Sequence, residues 1–431
     1  MAAVLTPAPA HARAPLSSAT ADWLARDEAA LAGVLGRITD LVAVRGEGAW
    51  LVDVDGRRTL DFASGIAVTN VGHCHPRVVA AIVEQASTLV HTSVTTHHTR
   101  SIELAERLRD LVPYLDDPQV FFCNTGAEAV DGTLKLARRV TGKPGIIAFR
   151  RAFHGRTLAA TSLTTAKGKY REGYEPLLPS VTVAPYCDPS RTTVEEALAG
   201  LDELLTLQSP GADVGVMIVE PVLGEGGYVV PPVAWLEGLR ERCDRHGILL
   251  AFDEVQCGAG RTGRFFAAET FGVTPDVILF AKGIASGLPL GGIIAPRSVM
   301  ERWPTGAHGS TFGGNPVSCA AAVATLDVLA EEDLLARCRV LGERAVAELR
   351  VATAGSTAVR EVRGVGLMVG VELTSAEATA RVQRRCLEQG LLVLTCAPGE
   401  DVLRLIPPLT LTDDELAHGL FVLTGALAAE S

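Results

Sequence analysis

Two apolar segments that each end in polar residues constrain this sequence most. Residues 247–252 run into Asp253 and Glu254, and residues 277–281 run into Lys282 and a glycine-rich turn. Short apolar runs of this kind are typical of strands that are buried on both faces of a parallel sheet. Because ligands bind beyond the carboxyl ends of such strands, we expect Asp253 and Lys282 to face one crevice.

An acid and an amine in this arrangement suit one cofactor, pyridoxal 5′-phosphate. Burial lowers the pKa of a lysine, and the neutral amine attacks the cofactor aldehyde to form a Schiff base. An aspartate keeps the pyridine nitrogen protonated, which makes the ring an electron sink. Both residues also have a plainer interpretation, with Lys282 as a solvated lysine at a strand end and Asp253 as a turn or helix-cap residue.

The composition excludes several classes of protein. The chain has 431 residues, 48% of them hydrophobic and 21% charged, which is typical of a globular protein of two domains. A net charge of −11 argues against binding to nucleic acid or to a membrane surface. We find no apolar run of about 18 residues that could span a membrane. Nine scattered cysteines without a C-x-x-C pair favour reduced thiols in a cytoplasmic protein.

The first 21 residues contain prolines at positions 7, 9 and 15 and no acidic residue. No apolar core follows a basic start, so the segment does not have the pattern of a secretory signal. We interpret it as an arm that is disordered or lies on a partner. Farther along, His73 and His75 could be metal ligands, but no third ligand is near, and we favour satisfied loop histidines or a cofactor-edge position. No metal site is expected.

Other polar turns follow apolar runs. The turn 124–127 precedes a helix that runs to about residue 140, and the N-terminus of that helix could bind a phosphate, although many strand-to-helix turns look alike. Phe153 could stack on a pyridine ring, and Arg156 could hold a carboxylate. The buried run 214–219 ends in Glu220, so a third strand end points to the same crevice.

The remaining signals concern the C-terminal half and two helix starts. The glycine-rich loop 307–316 contains Thr311, whose hydroxyl could reach a phosphate. Arg404 lies in an apolar strand, where an arginine requires a carboxylate partner. Thr192 with Glu195, and Thr412 with Glu415, have the spacing of capping boxes that open helices. From about residue 319 the pattern changes to a separate α+β layer.

Together these motifs resemble the fold-type I pyridoxal-phosphate enzymes, and specifically the class III aminotransferases that act on 4-aminobutyrate, acetylornithine, ornithine and other omega-amino acids. The resemblance covers residues 50–420. Eight segments carry it in the same order: GHCHP (72–76), NTGAEA (124–129), FHGRT (153–157), EPVLGEGG (220–227), DEVQCGAGRTG (253–263), AKGIASGLPLGG (281–292), HGSTFGGNP (308–316) and VLRLIPPLT (402–410).

The resemblance implies an α/β fold with two domains. The large domain would have a mostly parallel seven-stranded sheet between helices, and a smaller α+β domain would accompany it. The implied boundaries are 1–45 for an N-terminal arm and helix, 46–75 for the N-terminal part of the small domain, 76–318 for the large domain and 319–431 for the rest of the small domain. The resemblance also implies a homodimer whose active sites are shared between the subunits.

The resemblance implies roles for individual residues. Lys282 would form the Schiff base and carry a proton, Asp253 would pair with the pyridinium nitrogen, and Glu225 would complete the catalytic set as the counter-ion of Arg404. The cofactor would contact Gly126, Ala127, Phe153, His154, Asp253, Val255, Gln256, Lys282 and, from the second subunit, Thr311. Among these, Gly126 and Ala127 would bind the phosphate through backbone N–H groups, Val255 and Phe153 would cover the ring faces, and Gln256 would bond the phenolic oxygen. The substrate would contact Ile66, Arg156, Glu225 and Arg404.

The implied reaction is a two-stage transamination that requires a small-molecule amino donor and a 2-oxo acid. We expect an omega-amino acid such as 4-aminobutyrate as donor and 2-oxoglutarate as acceptor. Ile66 stands where ornithine-specific members carry a tyrosine, which weakens an ornithine assignment. Acetylornithine or a diamine is the nearest alternative donor. Racemisation or decarboxylation on the same cofactor, and a catalytically silent binding protein on the same scaffold, are further alternatives.

The sequence departs from the family pattern in two segments. Leu223 replaces a common glutamine, and Asp131-Gly132 replaces the more usual pair after the phosphate turn. A glycine near the start of a helix costs about 1 kcal/mol relative to alanine. We expect neither change to remove the chemistry.

Overall fold

The computed structural model describes residues 17–430. Its α-helices are α1 (Ser18–Ala30), α2 (Ser64–Ala67), α3 (Pro76–Thr88), α4 (Thr99–Asp110), α5 (Gly126–Thr141), α6 (Leu158–Leu163), α7 (Val194–Leu207), α8 (Val233–His246), α9 (Ala267–Phe271), α10 (Arg297–Met300), α11 (Pro316–Glu331), α12 (Leu334–Ala352), α13 (Ala376–Glu388) and α14 (Asp413–Ala428). Short 3₁₀ helices lie at Gly33–Leu35, Ser93–Thr95, Gly168–Tyr170, Gly211–Asp213 and Lys282–Ala285.

The strands in chain order are β1 (Ala43–Glu47), β2 (Trp50–Asp53), β3 (Arg58–Asp61), β4 (Pro118–Cys123), β5 (Gly145–Phe149), β6 (Val181–Ala184), β7 (Val214–Val219), β8 (Leu249–Asp253), β9 (Val277–Phe280), β10 (Gly291–Pro296), β11 (Val359–Val365), β12 (Met368–Leu373), β13 (Leu391–Leu392), β14 (Leu394–Cys396) and β15 (Val402–Leu405).

The main sheet has seven strands in the order β4-β10-β9-β8-β7-β5-β6. Strand β10 runs antiparallel to both of its neighbours, and the pairs from β9 through β6 are parallel. All residues of β7 and β9 are buried, as expected for a sheet covered by helices on both faces. The predicted α/β fold with a mostly parallel seven-stranded sheet is confirmed.

Two four-stranded sheets form the rest of the β structure. One has the order β1-β2-β3-β13, so strands from both ends of the chain share it, and β13 pairs with β3 in parallel. The other, β11-β12-β15-β14, is antiparallel throughout and is formed by residues after 358. These smaller sheets bear out the predicted second layer, whereas the domain boundaries at 45, 75 and 318 stay a prediction.

The N-terminal interpretation needs a correction. Residues 1–16 of the predicted arm lie outside the described residues, but residues 17–21 begin helix α1 instead of belonging to an arm. Ser17 caps this helix by accepting a hydrogen bond from the Thr20 N–H at 3.0 Å. The hydroxyls of Ser17 and Thr20 both donate to the Asp55 carboxylate, at 2.5 and 2.9 Å, which fixes the helix start against the hairpin of β2 and β3.

The predicted capping box at Thr192 is also wrong by one residue. Helix α7 is capped by Thr193, whose hydroxyl accepts from the Glu196 N–H at 3.2 Å. The Thr192 N–H instead bonds the Asp188 carbonyl at 2.8 Å, because the chain is still in a turn there. Both frames have the same spacing of threonine and glutamate, so the sequence could not distinguish them. The predicted box of α14, Thr412 with Glu415, is confirmed.

Within residues 17–430, no helix combines the length and the apolar character needed to cross a membrane.

Candidate active site

The carboxyl edge of the seven-stranded sheet brings together the residues that the sequence singled out. β7 is followed by Glu220, β8 ends at Asp253, and β9 is followed after one residue by Lys282; the three strands are neighbours. Their ends and the turns after β4 and β5 surround a cavity of about 340 Å³. The predicted meeting of Asp253 and Lys282 in one crevice is confirmed.

The cavity is lined by most of the predicted cofactor residues. They are Gly126, Ala127, Phe153, His154, Asp253, Val255, Gln256 and Lys282, joined by Glu220, Glu225, Val68, Asn124, Thr125, Gly155, Ala281 and residues 287–290.

Lys282 has an unusual backbone and a free amine. Its φ is +47°, in the left-handed region that side chains other than glycine rarely adopt, and such strain is typical of functional sites. Among residues 17–430, no group forms a hydrogen bond or ion pair with its Nζ atom. Burial lowers the pKa of Lys282, although the charges of Asp253 and Glu220 oppose that shift. The amine is therefore biased toward its neutral, nucleophilic form.

Asp253 is oriented by two hydrogen bonds. Its Oδ2 lies 2.7 Å from His154 Nδ1, and its Oδ1 accepts from the Val255 N–H at 3.1 Å. Burial opposes a charge on His154, but the hydrogen bond and charge of Asp253 outweigh it and raise the pKa of the histidine. The aspartate is 4% exposed and keeps one side toward the cavity. A buried, oriented carboxylate of this kind can hold a proton on a ring nitrogen.

Glu220 has a positioning role that the sequence did not reveal. Its carboxylate accepts hydrogen bonds from the Phe153 N–H at 2.7 Å and from the Gly224 N–H at 2.9 Å. Burial raises the pKa of Glu220, and the negative charge of Asp253 adds to that effect. Glu220 therefore fixes the loop that carries Phe153. The only sequence signal was an acid at a strand end.

The start of α5 has the features of a phosphate site. Thr125 and Glu128 form a capping box, so two of the N-terminal N–H groups are satisfied within the helix. Within the described chain, the N–H groups of Gly126 and Ala127 have no acceptor. A Cβ atom on Gly126 would lie 2.8 Å from the Val255 side chain, and therefore only glycine allows this close approach. The start of helix α5 is thus packed directly against the Val255 side chain.

The lining also contains an unpaired buried polar atom, Gln256 Oε1. Unpaired N–H groups at a helix N-terminus, an unpaired buried amide and a free amine fit a flat, anionic occupant with a phosphate and a polar ring substituent. Pyridoxal 5′-phosphate has these groups. Val255 and Phe153 line the same cavity and can cover its ring, so the residues present fit the cofactor.

Beyond the cofactor residues, the predicted carboxylate partner of Arg404 is Glu225. Arg404 Nη1 lies 3.0 Å from Glu225 Oε2, and the arginine is 5% exposed. The other carboxylate oxygen, Oε1, accepts from Tyr170 Oη at 2.9 Å and lies 3.0 Å from Lys167 Nζ. Burial opposes the charge on Glu225, but Arg404 and Lys167 outweigh it and lower its pKa. Sequence reasoning missed Lys167 and Tyr170, which lie in a loop without a motif.

Four predicted residues are not part of the cavity lining: Ile66, Arg156, Thr311 and Arg404. The Arg156 guanidinium lies 4.1 Å above the Tyr170 ring. Ile66 is 41% exposed and adopts a φ of +69°. Thr311 is exposed beside Phe312.

The two histidines of the GHCHP segment have carboxylate partners. His73 Nε2 lies 2.8 Å from the buried Asp61, and His75 Nε2 lies 3.3 Å from Glu332. Both Nε2 atoms therefore have partners within loops, one of the two interpretations that the sequence favoured, although His75 Nδ1 is buried without a partner among the described residues. The departure Gly132 also has a packing reason, because a Cβ atom there would lie 3.0 Å from Ile293 Cδ1.

Curated relatives resemble the chain over nearly its whole length. The 5-aminovalerate aminotransferase of Pseudomonas aeruginosa is 39% identical over 95% of this chain and 98% of the relative. The acetylornithine aminotransferase of Methanopyrus kandleri is 44% identical over 90% and 94%, and the 4-aminobutyrate aminotransferase of Escherichia coli is 38% identical over 93% and 96%.

Solved structures agree with these relatives. An aminotransferase of Bacillus anthracis matches with a TM-score of 0.90 and 29% identity, covering 96% of this chain and all of the other. An amine transaminase from an uncultivated Pseudomonas species, in its pyridoxal-phosphate-bound form, matches with a TM-score of 0.87 and 31% identity over 93% of this chain and 97% of that one. The family model described as aminotransferase class-III matches residues 35–427. The chain belongs to the class III aminotransferases, pyridoxal-phosphate enzymes of fold type I.

Proposed function

We propose that this aminotransferase moves an amino group from an omega-amino acid, such as 4-aminobutyrate, to 2-oxoglutarate. The observation that carries the proposal is the buried pair of Glu225 and Arg404 beside the cavity. While Arg404 is paired with Glu225, the pocket suits an omega-amino acid, whose reacting carbon carries no carboxylate. Once Arg404 is released from Glu225, it can bind a carboxylate as a bidentate fork. One site can therefore accept two kinds of substrate in turn.

The chain's own groups supply the proton transfers and the orientation. When bound, pyridoxal 5′-phosphate supplies an aldehyde for the amino group and a ring that stabilises negative charge on the substrate carbon. Lys282 is proposed to hold the cofactor at rest and then to move a proton between that carbon and the cofactor through its neutral Nζ. Asp253, oriented by His154, holds the proton on the ring nitrogen. Gly126 and Ala127 bind the phosphate through their N–H groups.

The substrate contacts follow from charge. With an omega-amino donor, Glu225 stays paired with Arg404, so the pocket is electrically balanced. With a 2-oxo dicarboxylate, the carboxylate beside the reacting carbon binds Arg404 and Glu225 turns aside. Arg156 is assigned the distal carboxylate; its guanidinium lies 4.1 Å above the ring of Tyr170, which itself bonds Glu225.

The names of the relatives support this donor class. 5-Aminovalerate and 4-aminobutyrate are both unbranched omega-amino acids, and relatives named for them match almost the whole chain. Acetylornithine is the second candidate donor, since the relative named for it has 44% identity. The relatives described above are all named aminotransferases, which favours transamination over racemisation or decarboxylation.

A spectrophotometric screen tests the proposal. Candidate amines are added one at a time to the purified protein with its cofactor, and the visible band of the cofactor is followed. We expect 4-aminobutyrate or 5-aminovalerate to bleach the band and 2-oxoglutarate to restore it. Bleaching by acetylornithine but not by 4-aminobutyrate would transfer the assignment to the second candidate. Continuous turnover of the amine in the absence of any 2-oxo acid would contradict transamination.

A homodimer in the cytoplasm is part of the same proposal. The apolar side chains of Val83, Val94 and Phe312 are 63%, 88% and 63% exposed, which supports their burial against a second copy. That copy would also bring Thr311 to the cofactor phosphate. Light scattering after gel filtration tests the assembly, and a monomer would contradict it. The nine cysteines are all free, which supports a reducing compartment.

A further inference from the structure

Lys167 lies beside the pair of Glu225 and Arg404 but has no role in the reaction described so far. Its Nζ is 3.0 Å from Glu225 Oε1 and 3.2 Å from Glu400 Oε1, and its side chain is 8% exposed. A nearly buried ammonium group is costly unless it is paired, and this one is paired with the carboxylate that has to move. Its position therefore invites a functional explanation.

The contacts to Glu225 divide between its two oxygens. Oε2 faces Arg404 at 3.0 Å. Oε1 faces Lys167 at 3.0 Å and accepts from Tyr170 at 2.9 Å. The contact between Arg404 and Oε2 can consequently break as Glu225 turns aside, while Oε1 keeps its contacts to Lys167 and Tyr170.

Release of Arg404 creates an electrostatic problem that a second cation solves. Glu225 is 12% exposed, so a carboxylate that lost its only cation there would remain charged and nearly buried. Removal of one partner from a buried ion pair is strongly unfavourable because the other charge is left uncompensated. With Lys167 in place, Glu225 keeps a cation whether or not Arg404 is bound to it. Glu400 in turn keeps Lys169 as its own second cation, at 2.9 Å.

We propose that Lys167 is a positioning residue that holds Glu225 while Arg404 binds the carboxylate next to the reacting carbon of a 2-oxo dicarboxylic acid. The inference rests on the proposed function, because it assigns the two substrates to two states of the Glu225 carboxylate. Lys167 acts through Glu225 and does not touch the substrate. It favours the dicarboxylic acceptor and leaves the omega-amino donor unaffected, since the donor uses the state in which Glu225 and Arg404 stay paired.

The first test compares Lys167→Met with the matched control Lys169→Met. Lys169 is 61% exposed and, among residues 17–430, forms an ion pair only with Glu400. Each half-reaction is measured separately in single turnovers from the cofactor absorbance. For Lys167→Met we expect kcat/KM for 2-oxoglutarate to fall about tenfold or more and that for 4-aminobutyrate to stay unchanged. Lys169→Met should resemble the parent enzyme in both, and Lys167→Arg, which keeps the charge, should restore acceptor use.

The second test measures binding without turnover. Glutarate, an unreactive dicarboxylate, and valerate, a monocarboxylate of similar length, are titrated calorimetrically into each holoenzyme. Glutarate should bind Lys167→Met about tenfold more weakly than it binds the parent, whereas valerate should bind both equally. This comparison is unaffected by which amine is the true donor, and it also reports whether the variant is folded and loaded.

Three results would overturn the proposal. Equal weakening of glutarate and valerate, or of both half-reactions, would make Lys167 a direct substrate ligand. No change in either would make it a structural ion pair. If glutarate did not bind the parent enzyme, Arg404 would not be the site of a substrate carboxylate, and the proposed role of Lys167 would be wrong. By contrast, failure of 4-aminobutyrate to react with the parent enzyme would overturn the donor assignment, and the binding comparison would still decide the role of Lys167.

Discussion

The cofactor side and the charge side of this cavity are built in different ways. On the cofactor side, Asp253 accepts from the Val255 N–H at 3.1 Å and Glu220 accepts from the Phe153 N–H at 2.7 Å, so backbone groups hold both carboxylates at strand ends, with the buried His154 as a further partner of Asp253. On the charge side, Glu225 and Arg404 come from a loop and from a strand of another sheet, and they meet only through side chains.

The difference follows from the chemistry that each side has to support. The cofactor ring has the same contacts in both halves of a transamination, so rigid backbone bonds are an advantage there. The substrate charge changes between the halves, and side-chain ion pairs can exchange partners while backbone bonds cannot. Four variants test this difference between the two sides.

Lys282→Ala should have the largest effect. It removes the amine that we propose to hold the cofactor and to move the proton, so we expect kcat to fall about 10,000-fold. The measurement is steady-state turnover with saturating cofactor, combined with circular dichroism to establish that the variant is folded. Turnover within about tenfold of the parent would show that another group transfers the proton.

Asp253→Asn should have the next largest effect. The amide keeps the shape of the side chain but loses the charge that holds a proton on the ring nitrogen. We expect single-turnover rates to fall about 100- to 1,000-fold in both half-reactions alike. A loss confined to one half-reaction would mean that the cofactor side is as substrate-dependent as the charge side, which would remove the contrast between them.

Glu225→Gln should affect stability through the charge side. The change leaves the buried Arg404 without its carboxylate partner and should destabilise the protein by about 3 kcal/mol at neutral pH, measured by denaturant unfolding. The folded pKa of Glu225 is lowered because Arg404 and Lys167 outweigh the effect of burial. The stabilisation is therefore fully present above the unfolded pKa of about 4.3 and is lost as the pH falls through the lower folded value. A difference between parent and variant that grows in acid would contradict this sign.

Arg404→Lys should have the smallest effect of the four. A lysine keeps the positive charge but cannot form a bidentate fork, so we expect kcat/KM for 2-oxoglutarate to fall about tenfold. The donor half-reaction, which does not use the fork, should change less. Equal losses in both half-reactions would show that the charge side does not distinguish the two substrates.

The sequence predicted the cofactor side better than the charge side, for a physical reason. Asp253 and Lys282 could be found because apolar runs identify strands and strand ends converge at one edge of a parallel sheet. Lys167 and Tyr170 could not, because they reach Glu225 from a loop that has no periodic pattern. Arg404 is intermediate: its position in an apolar strand required a carboxylate partner, the resemblance named Glu225, and the structure places the two side chains 3.0 Å apart.

Local ambiguity explains the smaller errors. The helix cap at Thr193 was predicted at Thr192 because two adjacent threonines each precede a glutamate by three residues. Ile66 was identified by resemblance alone and Thr311 by its glycine-rich loop and the resemblance, and neither residue lines the cavity. Their roles stay predictions until the assembly is known.

The most direct test of the account is to reduce the holoenzyme with borohydride and map the modified peptide by mass spectrometry. We predict a single pyridoxyl group on Lys282, which lies two residues after the end of β9. A pyridoxyl group on any other lysine, or no modified peptide at all, would contradict the assignment of the cofactor site to the carboxyl edge of the seven-stranded sheet.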